Sequence, residues 1–266
     1  MVTYGVCLDG AHGGPWMGHV LELMGCMWLA QEEAAVAARA SRSVSSFLEW
    51  LRRHGEANVV PLCPEDIQIE VVDVQQVPGF GKSGAAVGFF DWDLQPAEDA
   101  DISTAIRRLG YARRDLLELV VGLPPAVLDW QPPNGKRTVR ENLLHVRDAQ
   151  AFYLHRILGE GVWEVLPKPW PADTFASLEW VRDRAVATLL ELDPSLRGGV
   201  FHAEAPREDW TVRKMLRRFV EHELEHVQVI RRTLNLWRAR PPRQGGKSQP
   251  GHQVRSTGGQ CGSQDD

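Results

Sequence analysis

The sequence predicts a chain in two parts: an α+β unit of order β-β-β-α-β over residues 1–76, and an all-α, up-down four-helix bundle over 101–238. Three observations carry this. Runs rich in β-formers cluster in the first 76 residues, four amphipathic stretches fill 102–237, and the composition turns to Pro, Gly and polar residues at 77–100 and again after 238. Those two segments are expected to be a linker (77–100) and a disordered tail (239–266), the tail being too poor in apolar residues to offset its ordering entropy. With 43% hydrophobic residues in 266, the chain is long enough for two cores.

Taken in order, residues 2–8 (VTYGVCL) and 16–29 (WMGHVLELMGCMWL) flank the turn-forming DGAHGGP and read as a hairpin with its continuation. The stretch from Gln31 to His54 sets Ala35, Ala38, Val44, Phe47, Leu48 and Leu51 at helical spacing, and Gly55 supplies a stop. Asp66 to Val74 alternates again, as a closing strand would, and the helix is expected on one face of the sheet. Beyond the acidic, Pro-containing segment that ends near Asp101, helices are expected at 102–122, 138–158, 173–192 and 211–237, each bounded by Pro, Gly or Asp/Thr signals. A bundle buries four such apolar stripes at once.

The net charge of −5 gives no basis for recognising nucleic acid, and no stretch approaches the roughly 20 apolar residues of a membrane span. The expected setting is the cytoplasm, with a small-molecule substrate, no nucleic-acid or membrane partner, and a homodimer left open. Cys7, Cys26, Cys63 and Cys261 are widely spaced and form neither a metal-binding pair nor a disulfide framework; they are expected to be reduced thiols, and the first three, in or beside apolar segments, to pack as small hydrophobes.

The chemistry sits on histidines. Asp129-Trp130 precedes Thr138-Val139-Arg140, and Asp209-Trp210 precedes Thr211-Val212-Arg213, so the second and fourth bundle helices look like related halves that can face one another. On the fourth, His222 and His226 are four apart, which puts two imidazoles on one face with Met215, Phe219, Val229 and Thr233. Burying two unpartnered imidazoles is costly, and one metal ion satisfies both. His145, on a face with Ala149 and Phe152, is the natural third ligand; three neutral imidazoles leave a coordination position open for water or substrate. The competing reading makes these residues hydrogen-bonded core histidines or an exposed pair on a charged helix. His155 is expected to be exposed or interfacial, and His12, His54, His202 and His252 to have no role.

His222-Glu223-Leu224-Glu225-His226 also fits the zincin pattern His-Glu-x-x-His and its inverse, which would make the chain a zinc metalloprotease. Such enzymes take their third ligand downstream, where only His252 and two terminal aspartates remain, so Glu223 and Glu225 read more simply as the solvated face and supporting shell of a bundle helix.

The first segment resembles the HicB-like domain through the Tyr4-to-Leu8 strand, Gly13-Gly14, the Leu23-Met24-Gly25-Cys26 turn and the Glu32-Glu33-Ala34 helix start, with Met24 where that family usually has Pro. From Ile102 to Trp237 the chain resembles the DinB/YfiT-like family of metal-dependent bundles. The residues that carry this are Gly122-Leu123-Pro124 through Leu128-Asp129-Trp130, Thr138 through His145, and Glu221-His222 through His226. This second resemblance implies that His145, His222 and His226 hold zinc, nickel or a similar divalent ion. It also implies a reaction class, since similar proteins include S-transferases and isomerases that use low-molecular-weight thiols such as bacillithiol or mycothiol. A thiol-dependent transfer and a hydrolysis both suit an open metal site, with Asp148 and Glu225 as candidates to orient a ligand or take a proton. The alternatives are a non-catalytic module that binds a ligand or a protein, and an antitoxin role, for which the chain shows no DNA-binding segment.

Overall fold

A nine-residue strand, β1 (Val2–Gly10), forms the middle of the N-terminal sheet because it is apolar over Val6 to Leu8 and pairs on both sides. It runs antiparallel to β2 (Trp16–Val20), which in turn pairs antiparallel with β3 (Cys26–Ala30), and it runs parallel to β4 (Ile67–Gln76). The sheet order is β3-β2-β1-β4. The crossover to β4 is made by α1 (Glu33–Arg53), whose Val36, Ala40, Val44, Phe47, Leu48 and Leu51 pack on Val6, Leu8, Val20 and Trp28. The expected β-β-β-α-β order is therefore the observed one. The computed structural model describes residues 1–11, 13–56, 58–60, 62–77, 87–133, 135–204 and 207–240.

The helical half contains four long helices: α2 (Asp99–Val120), α3 (Val139–Leu158), α4 (Thr174–Leu190) and α5 (Val212–Ala239). Thr138 caps α3 in a reciprocal arrangement, its Oγ1 accepting from the Glu141 amide at 3.1 Å while the Glu141 carboxylate accepts from the Thr138 amide at 2.7 Å. Thr211 caps α5 through one contact, its Oγ1 accepting from the Lys214 amide at 3.1 Å, so the repeated Thr-Val-Arg motif marks two helix starts. α5 packs along both α2 and α3, and α3 packs along α4. Two features were not expected from the sequence: single-turn helices at Pro125–Leu128 and Val162–Val165, and a hairpin of β5 (Phe201–Glu204) with β6 (Arg207–Trp210) leading into α5. The expected tail lies outside the described residues from position 241 onward, and Ala239, expected in the tail, ends α5.

The two halves share an interface built on buried charge. The turn from β2 to β3 presses on α5: Gly25 has φ +95, and a Cβ there would stand 2.6 Å from Val220, so both the backbone and the space require glycine. His19, fully buried on β2, lies between two carboxylates, Asp9 at 2.9 Å and Glu221 of α5 at 2.8 Å. Glu221 also accepts from Arg218 at 2.9 Å and Arg217 at 3.3 Å, and Arg217 reaches Asp93 at 2.7 Å and the Gly88 carbonyl at 2.7 Å. Burial alone would strip His19 of its proton, but the carboxylates of Glu221 and Asp9 override it and hold its pKa up at about 9. Within the expected linker, residues 78–86 lie outside the described ones. The described remainder carries a short 3-10 turn (Asp91–Leu94) and buries Val87, Phe90, Asp93 and Ala97.

Candidate metal centre

α3 and α5 bring their histidines together because the apolar stripes of both helices face the same seam, Leu143 and Val146 on one side and Val227 and Ile230 on the other. His145 stands on the second turn of α3, half-buried; His222 and His226 stand one turn apart on α5 and are 4% and 6% exposed. The ring centres are 5.0 Å apart for His145 and His222, 4.8 Å for His145 and His226, and 4.5 Å for His222 and His226. One nitrogen from each ring lies within 4.8 Å of the others. His145 Nε2 and His222 Nε2 are 3.3 Å apart, the separation that two bonds of about 2.0–2.1 Å at a tetrahedral angle produce.

The electrostatics favour the ligating form. Burial, with the neighbouring imidazoles and the guanidiniums of Arg218 and Arg137 adding to it, depresses the pKa of His222 well below the ordinary value and that of His226 to about 3. His145 is lowered by the same burial and by Arg137. At neutral pH all three rings are uncharged.

Asn142, one turn before His145 on α3, selects the tautomer of His226. Its Nδ2 donates to the carbonyls of Thr138 at 2.8 Å and Arg137 at 3.2 Å, which leaves its Oδ1 to face His226 Nδ1 at 3.0 Å. The proton of His226 therefore sits on Nδ1, and the Nε2 lone pair is free. Tyr153, fully buried, sets its ring at right angles to His222 with centres 5.7 Å apart.

Residues 108–230 match the model of the DinB superfamily, a span that includes all three histidines. Over that span the chain is similar to the DinB superfamily. YfiT from Bacillus subtilis, described as "a probable metal-dependent hydrolase with an unusual four-helix bundle topology", is a solved structure similar to this chain: identity is 21%, the likeness covers 53% of this chain and 90% of that one, and the TM-score is 0.41. No curated protein matches.

The other expected residues lie apart from the three histidines. Glu223 corrects the expectation of a solvated face. It is 1% exposed and accepts from Arg113 of α2 at 2.7 Å, from Arg182 of α4, and from Gln150 of α3 at 3.4 Å. The reason is that α5 is covered by helices on several sides, so a polar position has no water to reach. This also removes the base a zincin would need beside the ion, because that carboxylate is committed to two guanidiniums. Glu225 is half-buried and lines a groove between α1 and α5, and Asp148 is exposed and bonded to Arg147 at 2.7 Å. His54 caps the end of α1, 3.1 Å from Asp115 and stacked on Tyr111; His155 meets Glu160 at 3.3 Å and His202 meets Asp209 at 2.6 Å. His12 and His252 lie outside the described residues, as does Cys261. Cys7 and Cys26 are buried free thiols, burial pushing Cys7 up to about 12, whereas Cys63 is exposed.

Proposed function

We propose that this chain is a metal-dependent enzyme of the DinB/YfiT-like kind acting on a small molecule, by hydrolysis or by transfer to a low-molecular-weight thiol, with zinc or nickel held by His145, His222 and His226. The observation that carries this is the convergence of three neutral imidazoles from α3 and α5 on one point, with His226 held in the ligating tautomer by Asn142. A divalent ion in such a site supplies Lewis acidity, which eases ionisation of water or a thiol near neutral pH. The protein's own part is to keep the rings uncharged by burial, to fix their orientation, and to leave the half-buried His145 side as the approach for a reactant. Glu223, held by its arginines, stiffens α5 behind the ligands.

The N-terminal unit is read as a HicB-like module, on its β-β-β-α-β order and the Gly25-Cys26 turn. Glu221, next to the first ligand on α5, ties that module to the metal helix through His19.

The test is turnover of a panel of esters, and of electrophiles paired with bacillithiol, mycothiol or glutathione, by the zinc- or nickel-loaded protein. Metal-dependent turnover that disappears in His145→Ala and His222→Ala is expected. Turnover that survives both substitutions and a chelator would contradict the reading.

A further inference from the structure

A groove of about 910 Å³ opens on the surface beside α3, between that helix and the segment carrying Trp163, Lys168 and Trp170. Its α3 wall includes Asp148 and Phe152, which follow His145 at spacings of three and seven and so share its face of the helix. Along the helix axis, Asp148 and Phe152 stand about 4.5 and about 10 Å beyond His145.

Its chemistry is that of two indoles around a cation. Trp163 is 39% exposed, a large apolar surface left in water. The Lys168 ammonium lies 4.7 Å from the ring centre of Trp163 and 5.4 Å from that of Trp170, and the Arg147 guanidinium lies 5.0 Å from Trp170. The carboxylate lining the groove, Asp148, is already engaged: its Oδ1 accepts from Arg147 Nε at 2.8 Å and Nη2 at 2.7 Å. Lys168 has no carboxylate partner among the described residues. The groove thus presents flat apolar walls and one positive charge that no carboxylate among the described residues neutralises.

We propose that this groove binds a planar aromatic carboxylate, with its ring on the indoles of Trp163 and Trp170 and its anionic group on Lys168. Stacking supplies the area, and the ammonium selects the charged end. The groove's position along α3 makes it the substrate-binding arm of the metal centre; that assignment rests on the metal-dependent reading, whereas binding in the groove does not.

The experiment is isothermal titration of the full chain with 2-naphthoate, with the uncharged 2-naphthamide and the non-planar cyclohexanecarboxylate as comparisons. Lys168 and Trp163 are exposed, so Lys168→Met and Trp163→Ala leave the core intact. Saturable binding of 2-naphthoate is expected, weakened by about tenfold or more in each variant and for each comparison compound, and unchanged in His222→Ala. No saturable binding, or equal binding by Lys168→Met, overturns the proposal. Loss in His222→Ala with retention in Lys168→Met overturns it too, because the carboxylate would then sit on the histidines. Binding that persists in a chain shown to take up no metal sustains the groove and removes its role as an arm of the metal site.

Discussion

Asn142 Oδ1 lies 3.0 Å from His226 Nδ1, and the orientation of that amide is fixed by two backbone carbonyls behind it. The pair turns a buried histidine with two equivalent tautomers into a ligand with one. Replacing Asn142 with Leu keeps the volume and removes the acceptor. Affinity for zinc or nickel, measured by competition with a chromophoric chelator, is expected to fall by roughly 10–100-fold while the helical content stays constant. Unchanged affinity would show that the ring is oriented by packing alone.

His19 makes stability depend on pH in the alkaline direction. Its folded pKa of about 9 stands above the unfolded value near 6.5, so its contribution is complete below about pH 6.5 and is lost as pH rises through 9. Urea unfolding is expected to show a loss on the order of 3 kcal/mol between those limits that is absent in His19→Gln. The histidines of the candidate metal centre act in the opposite sense and below that window, since their folded values are depressed and their stabilisation is complete above about pH 6.5. Lys214, lowered by burial to about 8, gains stability as pH rises through the same alkaline range, so the difference between parent and variant is the quantity to read. Identical pH profiles for the two proteins would contradict a charged His19.

Glu223→Gln leaves Arg113 and Arg182 buried without their shared counter-charge. Loss of one member of such a cluster costs about 3–5 kcal/mol, read as a lowered urea midpoint with an unchanged slope. A loss under about 1 kcal/mol would place water in the cluster and contradict its burial.

Gly25→Ala is expected to destabilise by about 1–3 kcal/mol, because the left-handed backbone and the 2.6 Å approach to Val220 both oppose a methyl group. Combining it with Val220→Ala should recover part of that loss, a coupling that a double-mutant cycle measures. Strict additivity would mean that the turn and α5 do not touch.

The sequence made legible whatever is local. Thr138 and Thr211 announce α3 and α5 because a cap is a contact between residues three apart, and the spacing of His222 and His226 fixes a common face for the same reason. The hairpin of β5 and β6 is not legible because each strand is only four residues long and at least half polar; Trp210, packed on Tyr153 with ring centres 5.5 Å apart, is visible as a motif residue but not as a strand end. Glu223 reads as solvated in the sequence because four of the five residues from His222 to His226 are polar, and its partners Arg113 and Arg182 are 110 and 41 residues away. His19 carried no local signal either, since the carboxylate that gives it meaning, Glu221, is 202 residues along the chain.

The most direct measurement is elemental analysis of the purified full chain beside His222→Ala and His226→Ala. About one zinc or nickel per chain in the parent and none in either variant is the expected result, with all three proteins folded by circular dichroism. Equal metal content in parent and variants, or a folded parent that takes up no transition metal when supplied with it, would contradict the assignment of His145, His222 and His226 as one site.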